Sequence, residues 1–295
     1  MFQFLQRKQE PEKYAPDPGQ LSVRQLLEDA SVPISIRAIV NLPEHARQRL
    51  LRILLPPQML SRFGIKPVNW KGPDGDNHVK VITRPESGLL RVEVRHSVEA
   101  QDPFYLVELQ DNALNGIDLN LLVLNDPFAP RFDTDCDEEG RVTQFGTLRR
   151  NLSQETQAMK AGLAPGQVRA GLKASRDVFQ NVETFLAMMT HYSIFLEPLT
   201  YASAWVFERR GFAYVRGHKL MDDIHREFQD GGRLRQALDG STLFRGPDQW
   251  RTVRGRAWAV HDGILGEIDQ TWDGLRMVKQ VGQHAGANTF PDAVY

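Results

Sequence analysis

Two histidines and an aspartate share one face of a predicted helix near residue 220. His218, Asp222 and His225 follow one another at spacings of four and three residues, so a helix that begins at His218 places all three on one side. Imidazole and carboxylate groups on one face can bind a divalent metal ion and leave positions open for water or substrate. The same residues are also common on a solvated helix face. A metal-dependent enzyme is therefore one hypothesis among several.

The acidic run at 133–140 is superficially similar to a calcium-binding loop. Its sixth position is Glu138, where the loop needs glycine for a sharp turn, and its twelfth is Gln144, where the loop needs a bidentate glutamate. We therefore predict an acidic turn that closes on Gly140. The single cysteine, Cys136, lies in this run, and we expect its surroundings to raise the pKa of the thiol and to disfavour a thiolate nucleophile.

Arginine and tryptophan are interleaved in the segment W-R-T-V-R-G-R-A-W at 250–258. Arg251, Arg254 and Arg256 could contact phosphates while an aromatic ring stacks on a base, and they could equally hold a substrate carboxylate. Arginine stems beside tryptophan more often cover a hydrophobic edge. The formal net charge of −1 offers no broad basic footprint for nucleic acid. We therefore expect a small-molecule partner rather than a nucleic acid.

The composition is that of an ordinary globular protein, with 41% hydrophobic and 25% charged residues in a chain of 295. One cysteine excludes an intrachain disulfide and fits a reducing compartment. No apolar run approaches the ~20 residues of a membrane span, and the first residues contain no apolar core of signal-peptide length. We predict a soluble, cytoplasmic protein without a membrane partner, and leave its oligomeric state open.

The N-terminal third begins with polar residues and then changes to apolar periodicity. Residues 1–20 contain three prolines and predict a flexible arm. The β-branched segment 32–41 predicts a strand. Apolar residues at helical spacing then predict a helix over His45–Leu55 and a second short helix that ends before Gly64.

Strand signals separated by turn-forming residues recur between residues 68 and 150. Apolar Leu90, Val92 and Val94 alternate with charged neighbours, which is typical of a sheet with one solvated face. The segment therefore predicts an antiparallel meander. Its predicted strands are Val79–Thr83, Leu89–Val98, Phe104–Leu109, Ile117–Leu124 and Val142–Leu148.

Helices dominate from Ser153 onward. Pro165 suits a first helical turn, and apolar residues from Val168 to Met189 mark one face of a long amphipathic helix. A strand is expected next, over Ser193–Leu199, and a further helix near Lys219–Phe228.

Between that strand and the last helix, the sequence predicts a short helix with defined ends. Thr200 can cap a helix over Tyr201–Arg210, because its hydroxyl can accept a hydrogen bond from a free backbone N–H. Gly211 suits the left-handed position that ends a helix, and Phe212 can fold back onto the preceding turn.

The order strand, two helices, antiparallel strands, long helix, strand, short helix, strand resembles the fold of the GNAT superfamily of acyltransferases. The segment A-W-V-F-E-R-R-G-F at 204–212 is similar to the family's A-x-x-x-Y-x-x-x-G-F, and I-S-I-R-A at 34–38 is similar to its first strand. The resemblance implies an α/β (α+β) fold with a mixed, mainly antiparallel sheet flanked by helices. We assign residues 21–228 to this core and residues 229–295 to a C-terminal extension packed on it.

The resemblance implies an N-acyltransferase that uses acyl-CoA, such as acetyl-CoA, as co-substrate and acts on a small amine. The family's pyrophosphate loop reads [Q/R]-x-x-G-x-[G/A], and the nearest segment here has its glutamine and glycine one residue too far apart. If this segment opens the long helix, free N–H groups there can hold phosphate oxygens. The expected cofactor-binding residues are Gln167, Val168, Arg169, Ala170 and Gly171.

Acyl transfer also needs a base for the acceptor and an acid or water for the thiolate. The resemblance implies that Glu197, at a strand end, and Tyr201, at a helix start, could supply them. The family often uses a tyrosine four residues before the glycine as the acid, and this chain has Phe207 there. A non-catalytic ligand-binding or interaction protein on the same scaffold therefore stays open as an alternative.

Overall fold

The computed structural model describes residues 34–143 and 149–295. Its helices and strands are, in chain order, α1 (Ile36–Val40), α2 (Glu44–Leu51), α3 (Pro57–Arg62), β1 (Val79–Arg84), β2 (Leu89–Val94), β3 (Tyr105–Asp111), β4 (Ile117–Leu124), α4 (Leu152–Lys160), α5 (Ser175–Met188), β5 (Ser193–Leu196), α6 (Tyr201–Arg209), β6 (Ala213–Arg216), α7 (His218–Glu227), α8 (Arg233–Gln236), α9 (Val253–His261) and β7 (Arg276–Gln280). The arm expected at 1–20 lies outside the described residues.

One seven-stranded sheet organises the chain, in the order β1-β2-β3-β4-β5-β7-β6. Neighbouring strands are antiparallel except β4 and β5, which are parallel. The predicted fold class, a mixed and mainly antiparallel sheet flanked by helices, is confirmed. The seventh strand, β7, lies between β5 and β6, so the segment expected as a C-terminal extension supplies an interior strand of the sheet.

The meander of β1 to β4 follows the predicted pattern of alternation. Leu90, Val92 and Val94 are buried against the helices, with at most 1% of their surface exposed. On the opposite face Glu93 is held by Arg95 at 2.8 Å. Of the fifth expected strand, only an isolated bridge from Val142 lies within the described residues, because positions 144–148 are outside them.

The helix α1 replaces the strand predicted over 32–41. Asp111, at the end of β3, accepts hydrogen bonds from the backbone N–H groups of Ile36 and Arg37 at 2.7 and 3.0 Å. The Ser35 hydroxyl accepts another from the first turn. These contacts satisfy N–H groups that have no partner within a helix, and so stabilise a helix against the β propensity of the sequence.

The short helix α6 has the ends that the sequence predicts. Thr200 and Ser203 form a reciprocal capping box at its start. At its end Gly211 has φ +87°, and the Phe212 N–H donates to the Phe207 carbonyl at 3.1 Å. This is the hydrogen bond of a Schellman motif, which reverses the chain so that β6 can begin.

The long helix α5 starts later than predicted, at Ser175 rather than near Pro165. The preceding segment pairs instead with the end of β4, since the Asp126 N–H donates to Ala170 and the Leu172 N–H donates to Leu124. A helix cannot form where the backbone is engaged in this antiparallel contact. The expected apolar face is present, because the buried residues of α5 are Val178, Phe179, Val182, Phe185 and Leu186.

Candidate functional site

The only parallel pair in the described sheet separates soon after it begins. β4 and β5 pair only through Ile117 with Ile194 and Asp118 with Phe195. Beyond Asp118, β4 continues to Leu124 without a partner on β5. From Leu119 to Val123 the backbone groups of β4 that point away from β3 form no hydrogen bond within the described residues, so they are open to an extended ligand.

The five predicted cofactor-binding residues lie beside the far end of this opening, but mostly in contact with the chain itself. The carbonyl groups of Gln167, Val168 and Ala170 accept hydrogen bonds from residues 126–134. Arg169 contacts Asp102 at 2.9 Å. Gly171, the fifth, forms an isolated antiparallel bridge with Asn125. The segment therefore connects α5 to β4, and three of its carbonyl groups and the Arg169 side chain already have hydrogen-bond partners.

Free backbone donors occur a few residues further on, at the start of α5. Ala174 precedes the helix without a capping side chain, and the amides of 173–177 form no hydrogen bond within the described residues. The Arg210 side chain, from the end of α6, donates to the Ser175 hydroxyl at 3.1 Å. Uncapped amides next to arginine side chains suit a phosphate group.

The positive charge at this helix start is not balanced by an ion pair. Partial burial lowers the pKa of Arg210 from its ordinary value, and the neighbouring Arg176 lowers it further. Asp177 offsets this only in part. Within the described chain neither arginine forms an ion pair with a carboxylate, so a dianionic phosphate here would gain two charge-assisted contacts.

Glu197 lies at the end of β5 with its side chain exposed. Its carboxylate accepts a hydrogen bond from Arg276 of β7 at 3.2 Å, and the same guanidinium donates to Asp118 of β4 at 2.8 Å. The Arg276 side chain thus reaches from β7 across β5, and it links β5 to β4 at the point where these two strands separate. Glu197 is accessible to a substrate, although its carboxylate forms an ion pair with Arg276.

Tyr201 is buried, with 1% of its surface exposed, and its ring packs edge-on against Trp272. Burial raises the pKa of its hydroxyl to about 12, and the neighbouring Arg256 guanidinium limits the rise. The structure does not bring Tyr201 and Glu197 into contact, because one side chain points into the core and the other to solvent. Phe207, at the position of the family's acid, packs between Phe179 and Phe212.

The three predicted metal-site residues are not brought together. His218 and Asp222 form an exposed pair at 3.2 Å. Nδ1 of His225 instead lies 3.2 Å from a nitrogen of Arg256. Burial, and then the charge of Arg256, lowers the pKa of His225. No group of three or more His, Cys, Asp or Glu side chains in the described ranges is arranged to hold a metal ion.

The acidic run 133–140 is a turn, as predicted. The Asp137 carboxylate accepts hydrogen bonds from the amides of Glu139 and Arg141, and Gly140 takes a positive φ. Burial and then the charge of Asp135 raise the pKa of the Cys136 thiol, in the predicted direction.

The arginine and tryptophan residues at 250–258 are largely internal. Arg256 and Trp258 are each 1% exposed, and the Trp258 indole donates to the Leu163 carbonyl at 2.8 Å. Arg254 packs over the ring of Tyr295. Most of this segment lies in the packed helix α9.

No helix in the two described ranges is long and apolar enough to cross a membrane. Comparisons with protein-family models, curated proteins and solved structures found no match.

Sequence reasoning missed Arg176 and Arg210 as candidate ligands. The sequence analysis includes Arg210 only as the last residue of a predicted helix, and the position of Arg210 beside α5 depends on the packing of Phe179 against Phe207 and Phe212. The signal available in the sequence was Arg210 immediately before the glycine that ends α6.

Proposed function

We propose that this protein is an acyl-CoA-dependent N-acyltransferase of the GNAT superfamily that acts on a small amine. The observation that carries the proposal is the opening between β4 and β5, which lies next to a helix start with unpaired amides and two arginines. The order antiparallel strands, long helix, strand, short helix, strand supports the same proposal.

In this proposal the two parts of the co-substrate bind to different features. The pantetheine arm is extended and carries amides, so it hydrogen-bonds to the free edge of β4 beyond Asp118. The pyrophosphate binds the amides at 173–177, with Arg176 and Arg210 as counter-charges. The phosphate site is thus displaced by several residues from the segment 167–171.

Chemistry then requires an amine placed at the thioester carbonyl and deprotonated as it attacks. Glu197 is the accessible carboxylate at the end of β5 and serves as a base directly or through water. Tyr201 is enclosed in the core, so in this proposal water protonates the thiolate. Attack forms the amide bond, breaks the carbon–sulfur bond and releases CoA.

Non-catalytic binding on the same scaffold is the second candidate. It is favoured by the apolar packing of Phe207 and by the burial of Tyr201, which leave no evident acid beside the opening. This candidate shares the acyl-CoA site and differs only in turnover.

Calorimetric titration with acetyl-CoA, followed by a thiol-release assay with a panel of small amines, tests both candidates. We expect binding in the micromolar range and thiol release that depends on the amine. Binding without release from any amine would favour the non-catalytic candidate. If saturating acyl-CoA gives neither heat nor a shift in Tm, both candidates fail.

A further inference from the structure

Arg256 is a buried cation without a counter-ion. Its Nε donates to the Trp250 carbonyl at 2.7 Å, and its Nη1 lies 3.2 Å from Nδ1 of His225. Both partners are neutral acceptors, and in the described part of the chain this guanidinium forms no ion pair with a carboxylate. Because a charge removed from water without a partner is strongly unfavourable, the site calls for an anion.

Other unpaired donors surround this guanidinium. The Tyr201 hydroxyl is buried beside the Arg256 guanidinium, and no described residue accepts a hydrogen bond from it. Nη1 of Arg235 and Nε1 of Trp250 are buried without partners as well. The Arg235 guanidinium lies 3.6 Å from the centroid of the Trp250 ring, so these donors belong to one cluster between α6, α8 and α9. Buried donors are normally satisfied, and three without a partner among the described residues in one cluster are unusual.

The surroundings of the cluster are apolar. The Arg256 guanidinium lies 3.5 Å from the centroid of the Phe290 ring and 5.1 Å from that of Phe228. Aromatic faces stabilise the cation to some extent and keep water away, but they accept no strong hydrogen bonds. The missing partner is therefore a compact acceptor that carries negative charge.

We propose that Arg256, Tyr201 and Arg235 bind a small organic carboxylate. A guanidinium offers parallel N–H donors whose spacing matches the two oxygens of a carboxylate, and a phenol hydroxyl adds a third donor. Tyr201 then acts as a binding residue. This inference does not depend on acyl-CoA binding, and its test uses no acyl-CoA.

The probe is sodium acetate, added to the full chain in chloride-free sodium methanesulfonate at constant ionic strength. We expect Tm to rise saturably with acetate, as binding to the folded state requires. Tyr201→Phe keeps the ring and removes one hydrogen bond to a charged group, so half-saturation should need about tenfold more acetate. Arg256→Met should abolish the response. Arg141→Met is the control, because that side chain is 59% exposed and pairs with Asp137 in the acidic turn.

Three outcomes would overturn the proposal. An equal and saturable response to chloride would assign an adventitious ion only. A response that does not saturate would indicate a general salt effect. A Tyr201→Phe variant that responds like the unmodified protein would remove the hydroxyl from the site, and this comparison stands even if Arg256→Met does not fold.

Discussion

Reversing the charge of Arg176 and Arg210 together is expected to weaken acetyl-CoA binding by at least about a hundredfold. A hydrogen bond between charged groups contributes about 1.5–3 kcal/mol, and the double variant loses two such contacts and adds repulsion. Arg176 lies in the first turn of α5, and Arg210 contacts Ser175 in the same turn. The amides of 173–177 form no hydrogen bond within the described residues. The measurement is calorimetric titration of Arg176→Glu/Arg210→Glu with acetyl-CoA.

The control changes the net charge by the same amount at a distance from α5. Arg233→Glu/Arg251→Glu replaces two side chains that are 58% and 63% exposed. It should bind acetyl-CoA within about threefold of the unmodified protein, since exposed charges far from a ligand are screened by salt. Equal affinities of the two double variants would refute a phosphate site at this helix start.

Replacing Glu208 with alanine is expected to lower the free energy of unfolding by about 3 kcal/mol, because each buried donor left without an acceptor costs about 1–3 kcal/mol. This carboxylate is 1% exposed and accepts hydrogen bonds from the Tyr214 hydroxyl at 2.6 Å and from the amide and hydroxyl of Thr289 at 3.0 and 2.7 Å. The variant leaves the amide and hydroxyl of Thr289 buried and unpaired, and it removes the acceptor of the partly buried Tyr214 hydroxyl. Urea unfolding at neutral pH measures the change.

Two further variants calibrate this result. Tyr214→Phe removes a single donor and should cost about 1–1.5 kcal/mol. Glu267→Ala removes a half-exposed carboxylate whose nearest cation is 3.6 Å away, and should cost less than about 1 kcal/mol. A loss at Glu208 no larger than that at Glu267 would show that the link between α6 and the C-terminal residues is not needed for stability.

Local signals in the sequence were enough to predict elements whose ends are determined by their own residues. The cap at Thr200 and the reversal at Gly211 need only neighbours within a few positions, and both are present. The alternation of apolar and charged residues in β2 likewise indicates directly which face of the strand is buried. Such features are predictable because their energetics are short-range.

Elements determined by distant contacts were predicted wrongly or not at all. α1 forms because Asp111 supplies acceptors from another part of the chain. α5 starts late because Ala170 and Leu172 pair with the end of β4. The insertion of β7 between β5 and β6 pairs residues that are 60 or more positions apart in the chain, and periodicity carries no information about such pairing.

The candidate site shows the same division. The sequence indicated that phosphate binding belongs near the start of the long helix, which is a local argument. The resemblance points to 167–171 because that segment is nearest to the family's loop, whereas Arg210 is 35 residues from its hydrogen-bond partner Ser175 and belongs to no local pattern. The parallel neighbour of β5 is β4. That pairing depends on the whole topology.

Hydrogen–deuterium exchange with and without saturating acetyl-CoA tests the central claim most directly. The account predicts slower exchange in two places, at the amides of β4 beyond Asp118 that do not bond to β3 and at the amides of 173–177. Exchange in α7 should not change. Tight binding of acetyl-CoA with protection confined to α7 and α9, and none at β4 or the start of α5, would contradict it.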